Sequence, residues 1–599
     1  MIPQNHRGAR QAAIACGRSA DIDYLSWIDE YEPAECDLRA QRELSRTFLY
    51  RPLFSIVIPV FKVRDSFLDA CINSVLGQTY DNWELCLTHA AGQDDSNLAR
   101  LRSLSLTNSN IRLVELPENG GISVNTNAAL DLATGDFVAF LDHDDTLAPF
   151  ALFEAAAALQ AKAEADVLYS DHDYLDPEHS LRQLPLFKPD WSPEIMLSAN
   201  YITHLTIIRK SVLQTVGYFN PDMDGAQDWD LFLRAIEQTD RVVHIPKVLY
   251  HWRMHPESTA HNSSAKSYVT SAQLRCLQRH VAARNLCAVP EVMPNGLIHM
   301  RPLRTPDTLV SIIIPTRDRL DLLTRCISTL TEMTAYPRFE ILIVDTGSAG
   351  AETKDYFKTV SADSRIRVIW YPGQFNYSAA NNMAAREAQG DLLLFLNNDV
   401  EFIKPDWLTE LVMWAQDPCI GIVGGKLLRP DASIQHAGVV IGMNGFADHP
   451  FADEPALTFG LAGSTGWYRN FLAVTGACML MRRDVFQQLG GFDEKFLLCG
   501  SDVEICLRAR ARGYRVVYNP FAELVHHEQQ TRGTAVPDSD YLESLKHYGK
   551  WLLKPDPYWN PNLSFWSRKP STGPAGSRLA LSSVLVALRA SKRKRAMHP

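Results

Sequence analysis

Phe54–Val60 is apolar apart from Ser55 and is closed by Pro59, the pattern of a parallel strand covered on both faces. Asp65–Gln78 then carries helical apolar spacing at Phe67, Leu68, Cys71, Ile72 and Val75. Glu84–Leu87, Ile111–Leu116 and Phe137–Leu141 read as further strands, with a helix over Asn125–Ala133. The same series returns later. Strands are expected at Val310–Ile314, Glu340–Val344, Arg367–Trp370 and Leu392–Leu396, and helices near Asp321–Thr331 and Ser378–Ala388. Alternation of strand and helix predicts an α/β unit with a mostly parallel sheet, built twice.

The flanks read differently. Tyr24, Trp27 and Ile28 share one helical face, and a charged helix is expected around Asp37–Arg46. Residues 1–52 are therefore expected to form a helical arm on the first domain, 53–262. Residues 263–305 are expected to be a linker, with a helix over Ser267–Arg284 and a Pro-containing connector. The second domain spans 306–535, and 536–599, rich in Pro, Trp, Asn and Ser, reads as irregular.

The repetition extends to polar motifs. Ser55-Ile-Val-Ile-Pro59 returns as Ser311-Ile-Ile-Ile-Pro315, and Leu141-Asp-His-Asp-Asp145 as Leu396-Asn-Asn-Asp399. Gln227-Asp228-Trp-Asp230 is answered by Ser501-Asp502-Val-Glu504, and Tyr250-His251-Trp-Arg253 by Val525-His526-His527. Ser55 to Asp144 is 89 positions and Ser311 to Asp399 is 88; Asp228 to His251 is 23 and Asp502 to His526 is 24.

Both acidic clusters follow an apolar strand, where an open parallel sheet binds its ligands. Asp142, Asp144 and Asp145 offer hard oxygen ligands suited to Mg²⁺ or Mn²⁺, and Asp399 does so with Asn397 and Asn398 as neutral neighbours. A polar strand-end turn accounts equally for either cluster taken singly. Asp228 and Asp502 open helical runs, Trp229–Ala235 and Val503–Ala511, as an N-cap would. Their recurrence ahead of His251 and His526, each after a short strand, points instead to chemistry; the imidazoles can complete a metal's coordination.

Composition limits the classes. Hydrophobic residues make up 46% and charged residues 21%, ordinary for a globular protein. A net charge of -10 opposes nucleic-acid binding. The 11 cysteines form no Cys-x-x-Cys pair, so a reducing, cytoplasmic setting is expected. The N-terminal residues lack the apolar core of a signal peptide, and no run reaches the roughly 20 apolar residues of a membrane span.

These motifs resemble the family 2 glycosyltransferases of GT-A fold. The first set is Gly120-Gly-Ile-Ser, Gly135-Asp-Phe-Val-Ala-Phe-Leu-Asp-His-Asp-Asp145, Ala226-Gln-Asp-Trp-Asp-Leu and Tyr250-His-Trp-Arg253. The second is Phe375-Asn-Tyr-Ser, Gly390-Asp-Leu-Leu-Leu-Phe-Leu-Asn-Asn-Asp399, Val474-Thr-Gly-Ala-Cys478, Gly490-Gly-Phe-Asp-Glu494, Asp502-Val-Glu-Ile-Cys-Leu-Arg508 and Ala522-Glu-Leu-Val-His-His527. The second set is similar to the rhamnosyltransferase-type branch that builds bacterial surface polysaccharides. The resemblance implies two tandem Rossmann-like domains. It implies Asp144 and Asp399 on the metal, His251 and His526 as metal-side ligands, and Asp228 and Asp502 as general bases. Asp142 and Asp145, with Asn397 and Asn398, would flank the donor; Asp345 would read a pyrimidine, and the backbone after Pro59 and Pro315 would line the base pocket. The first copy departs at Leu87-Thr-His-Ala-Ala-Gly92, which has no counterpart of Asp345.

The expected function is transfer of a sugar, L-rhamnose among the candidates, from a dTDP- or UDP-sugar to a surface glycan such as an O-antigen, with the acceptor lipid-linked. Two working sites, or one transferase beside a degenerate glycan-binding first copy, both fit. A nucleotidyltransferase fits less well, because no Gly-rich, Lys-containing triphosphate loop is present. The apolar-then-basic tail Arg578–Arg595 suggests peripheral contact with the inner membrane; a disordered basic terminus is the other reading.

Overall fold

A computed structural model describes residues 19–91, 96–176, 181–254, 265–303, 307–527 and 536–573. The chain divides into two compact units. Unit 1 runs to Trp191, resumes over Asn200–Arg284 and includes Gly460–Gly463; unit 2 comprises Ser192–Ala199, Asn285–Phe459 and the chain from Ser464 onward.

In unit 1, helices α1 (Ser19–Tyr31) and α2 (Glu35–Ser45) precede β1 (Phe54–Val60), β2 (Trp83–Ala90), β3 (Ile111–Leu116), β4 (Phe137–Phe140) and β5 (Thr146–Leu147). Then come β6 (Val167–Leu175), β7 (Arg182–Leu186), β8 (Thr206–Arg209), α3 (Gln227–Ile236), β9 (Val242–Arg253) and α4 (Ala265–Ala283). Among the described residues these strands form a nine-stranded sheet in the order β3-β2-β1-β4-β8-β6-β9-β5, with β7 on β6. β3, β2, β1 and β4 are parallel to their neighbours, and β8 enters antiparallel.

Unit 2 opens with the hairpin β10 (Ala288–Val292) and β11 (Ile298–Pro302), where a bare connector was expected. Pro290 and Pro302 are accommodated because a two-stranded ribbon is all edge, and a proline there costs no ladder bond on its outer side. Its main strands are β12 (Val310–Thr316), β13 (Phe339–Asp345), β14 (Ile366–Trp370), β15 (Leu392–Leu396), β16 (Val400–Phe402), β17 (Ile420–Leu428), β18 (Ile434–His436), β19 (Arg469–Asn470), β20 (Cys478–Arg482) and β21 (Arg515–His526). They lie in the order β14-β13-β12-β15-β20-β17-β21-β16, the order of unit 1. Helix α5 (Ser501–Ala511) corresponds to α3, and α6 (Asp538–Leu552) to α4.

The region from 536 was expected to be irregular, yet α6 is a 15-residue helix. Its apolar face is short, and it is held instead by polar contacts of Asp540 and Tyr548 that periodicity does not register. The expected linker helix, α4, packs on α3 as α6 packs on α5. Each is therefore the last element of its repeat. Arg578–Arg595 lies outside the described residues.

The repeated serine is structural. Ser55 donates to Glu84 at 2.6 Å and accepts from Gly135 N at 2.9 Å; Ser311 does the same with Glu340 at 2.6 Å and Gly390 N at 2.8 Å. A Cβ on Gly135 or Gly390 would lie 2.5 Å from the carbonyl of Leu53 or Leu309, so only glycine lets this turn close onto the first strand.

Candidate active site

Parallel pairing places one residue per strand in a row at the carboxyl edge. In unit 2 that row is Thr316, Asp345 and Trp370; in unit 1 it is Val60, His89 and Glu115. Asp345 is buried, and its Oδ1 accepts from Ser348 N at 2.8 Å and Gly347 N at 3.2 Å, which fixes the loop beside it. His89 occupies the level of Asp345 in unit 1, so the missing carboxylate is an imidazole at the same point of the sheet.

The acidic turn after β15 lies beside this row. Asn398 donates to Thr316 Oγ1 at 2.9 Å, immediately after Pro315. Asp399 Oδ1 lies 3.1 Å from His526 Nε2, and Asn397 Nδ2 lies 3.5 Å from the same nitrogen. His526 Nδ1 is 3.2 Å from the Gln435 side-chain oxygen. That amide oxygen accepts only, so Nδ1 is the nitrogen that donates to it, and Nε2 is the nitrogen turned to Asp399. Asp502 stands in the first turn of α5. Its Oδ2 accepts from Gly476 N at 2.8 Å and its Oδ1 from Val503 N at 2.9 Å. Both oxygens keep a further lone pair.

Unit 1 places its histidine otherwise. Val138, Ile208 and Val167 lie level across β4, β8 and β6, as Leu393, Met481 and Ile422 do across β15, β20 and β17. Counting six residues on sets Asp173 level with Leu428. Asp173 pairs with His251 and Leu428 with Val525. The short edge strands agree: Thr146 pairs with His251, whereas Val400 pairs with His526. His251 is therefore level with Val525, and Trp252 with His526. A slip of one residue sends a side chain to the opposite face of a sheet.

His251 does face away from the acidic turn. Its Nδ1 lies 2.6 Å from Asp173 Oδ1, and Asp173 Oδ2 accepts from Arg182 and from the Tyr24 hydroxyl, each at 2.6 Å. Arg182 also forks onto Glu32, at 2.5 and 2.6 Å. His251 was expected on the metal side, as His526 was; its motif is one residue shorter, 23 positions against 24, and its place in the sheet is one ladder position earlier. Burial alone would raise the Asp173 carboxyl; the Arg182 guanidinium, His251 and the Tyr24 hydroxyl overcome this and hold it at about 2. The arm, through Tyr24 and Glu32, completes this cluster.

Asp145 also differs from expectation. It is fully buried, with Oδ2 accepting from the Tyr250 hydroxyl at 2.6 Å and Oδ1 from Arg253 N at 2.7 Å. These two contacts tie the turn to β9. Asp142 and Asp144 are partly exposed. His143, between them, lies 2.8 Å from the Pro59 carbonyl through Nδ1.

His204, which sequence reasoning missed, lies beneath this turn. Its Nε2 is 3.6 Å from Asp142 Oδ2, its ring stacks on Tyr250 at 4.5 Å, and its Nδ1 is buried without a hydrogen bond. Burial pushes the imidazole down to about 4, so it is neutral at pH 7. By register it takes the place of Ala477 in unit 2, and a lone histidine against an alanine gives no repeat signal. Asp228 accepts from Asn200 Nδ2 at 2.8 Å and from Trp229 N at 2.8 Å. Burial raises its carboxyl, with His204 opposing. The Asp173 cluster did leave a trace, the polar run Ser170-Asp-His-Asp173 inside an otherwise apolar strand.

Two sheets of this order, each with an acidic turn beyond its parallel strands and a carboxylate-bearing helix beside it, define tandem GT-A domains. The glycosyl transferase family 2 model matches residues 55–217 and 311–490, and the glycosyl transferase family group 2 model matches 403–580. The chain belongs to glycosyl transferase family 2, and by that membership is a glycosyltransferase. It is 42% identical over 549 residues to the O-antigen biosynthesis protein RfbC of Myxococcus xanthus, covering 90% of this chain and 42% of that protein. It is 39% identical to the uncharacterized protein y4gI of Sinorhizobium fredii, covering 87% of this chain and 59% of the other. The chain thus spans about half the length of these relatives. The mannosyltransferase PcManGT from Pyrobaculum calidifontis, solved with GDP-Man and Mn2+, matches 48% of this chain and 76% of its own at 19% identity, with a TM-score of 0.33.

Proposed function

We propose that unit 2 is a metal-dependent, inverting transferase that moves a sugar from a nucleoside-diphosphate sugar to a growing surface glycan. The observation that carries this reading is the Asp399–His526 pair, with Asp399 Oδ1 3.1 Å from His526 Nε2. One carboxylate oxygen and one imidazole nitrogen suit Mn²⁺ or Mg²⁺ with positions left for phosphate oxygens and water. The cation would neutralise charge on the departing diphosphate.

Asp345, Thr316 and the backbone after Pro315 would hold the base, and Asn397 and Asn398 would flank the diphosphate. Asp502 would take the acceptor hydroxyl proton as the new C1–O bond forms and the bond from C1 to the phosphate oxygen breaks. Displacement from the opposite face inverts the anomeric carbon. L-Rhamnose as the sugar rests on the similarity of the second motif set, and an O-antigen-like acceptor on the Myxococcus relative. A lipid-linked acceptor and work at the cytoplasmic face of the inner membrane are part of the same proposal. No described helix is long and apolar enough to cross a membrane.

A second reading, that unit 1 binds glycan without transferring sugar, is favoured by two observations: His251 is turned away and His89 stands where Asp345 would. The test is a donor screen with Mn²⁺, dTDP-L-rhamnose among the donors, scored by nucleoside diphosphate release and by product. Asp502→Asn is expected to abolish transfer. Asp228→Asn leaves the product unchanged if unit 1 only binds, and deletes a linkage if it transfers.

A further inference from the structure

The loop that leads into α5 is held by α6. Asp540, in the first turn of α6, is fully buried. Its Oδ1 accepts from Leu497 N at 2.8 Å, and its Oδ2 accepts from Leu498 N and Cys499 N, both at 2.8 Å. Further along the same helix, the buried Tyr548 hydroxyl donates to the Gly500 carbonyl at 2.7 Å. Gly500 has φ 92° and caps α5, and a Cβ there would meet Ser544 Oγ at 2.7 Å. All four residues from Leu497 to Gly500 are thus tied to one helix, and Asp502 follows two positions later. On its other side the loop is fixed by Tyr377 N, which donates to the Leu497 carbonyl at 2.7 Å.

Unit 1 holds the same place by other chemistry. Arg275 of α4 donates to the Asp222 carbonyl at 2.9 Å, and Arg279 pairs with Asp230 at 3.1 Å and Glu237 at 2.9 Å. Among the described residues, a single carboxylate collecting three backbone N–H groups at this place occurs in unit 2.

We propose that Asp540 is a positioning residue for Asp502, so that α6 sets where the base meets the acceptor hydroxyl. Hydrogen bonds from N–H groups to a buried carboxylate are short, strong and directional. An asparagine would keep one accepting oxygen and turn an NH₂ group toward N–H donors, releasing part of the loop. The donor face, with Asp345, Asp399 and His526, is built on other elements and would be left in place. This inference rests on Asp502 being the base.

The experiment uses the full chain with Asp502→Asn, Asp540→Asn, Tyr548→Phe and the double variant Asp502→Asn/Asp540→Asn. Transfer kinetics are read beside calorimetric binding of nucleoside diphosphate with Mn²⁺. A misplacement of about 1 Å can cost about 10²-fold, so Asp540→Asn is expected to lower kcat by about that factor. KM for the nucleotide sugar and nucleotide binding stay at wild-type values. Tyr548→Phe falls less in the same direction, and the double variant is no slower than Asp502→Asn. Wild-type kcat for Asp540→Asn in protein that binds nucleotide, with Asp502→Asn inactive, overturns the positioning role and leaves the base assignment standing. A further loss in the double variant also overturns it. If Asp540→Asn binds no nucleotide, Tyr548→Phe decides: reduced kcat at unchanged KM supports the proposal, and wild-type kcat overturns it. An active Asp502→Asn removes the base assignment and this inference with it.

Discussion

The two units share a strand order, an acidic turn and a carboxylate at the head of a helix, yet their histidines do opposite things. His526 puts its Nε2 3.1 Å from Asp399 Oδ1. His251 lies one ladder position earlier, on the other face, and is locked to Asp173 within a buried cluster of Arg182, Tyr24 and Glu32. Spacing along the chain differs by a single residue between the two, and in a sheet a single residue sends a side chain to the opposite face. A motif repeated in sequence need not be repeated in space when its last residue lies one ladder position earlier on its strand, as His251 does on β9.

The sharpest way to break this comparison is the base. Asp502→Asn is expected to lower transfer by about 10²–10⁴, measured as product formed from a labelled donor. The same change at Asp228 is expected to leave that product's rate unaltered. Equal losses at both positions would erase the difference between the units.

The next effect is on stability. Removing one partner of a buried ion pair leaves a buried charge uncompensated, at a cost of about 3–5 kcal/mol. Arg182→Met is therefore expected to destabilise unit 1 by that order in denaturant melts, with nucleotide binding by unit 2 retained. His251→Gln, which keeps a donor for Asp173, should cost less.

A smaller effect follows from pH. The Asp173 carboxyl is held at about 2, below its ordinary 3.8. A depressed carboxyl contributes stability that is complete above the ordinary value and is lost as pH falls through the folded one. Unit 1 should lose stability between about pH 4 and pH 2, and Asp173→Asn should flatten that part of the profile. An unchanged acid limb would mean that the cluster does not hold the arm in place.

Much of the fold was legible in the sequence because unbroken apolar runs such as Ile312–Ile314 and Leu392–Leu396 admit one reading, a buried parallel strand. The acidic turns and the helix-borne carboxylates were legible because each appeared twice. What could not be read was carried by register and by tertiary polar contacts. Asp145 looked like its neighbours Asp142 and Asp144, and only the closure of β5 on β9 turns it inward. His204 has no repeat partner, because Ala477 stands in its place. Asp540 and Tyr548 sit in a segment whose composition suggested no helix, and their partners are backbone groups some 40 residues away. Arg182 and Glu32 meet across 150 positions, a distance over which no local pattern speaks.

The most direct test of the account is a titration of Mn²⁺ into the full chain saturated with nucleoside diphosphate, for the wild type, His526→Ala and His251→Ala. The account predicts that His526→Ala weakens or removes the tightest Mn²⁺ site, and that His251→Ala keeps its stoichiometry and affinity while melting at a lower temperature. Loss of that Mn²⁺ site in His251→Ala, or its retention in His526→Ala, would contradict it.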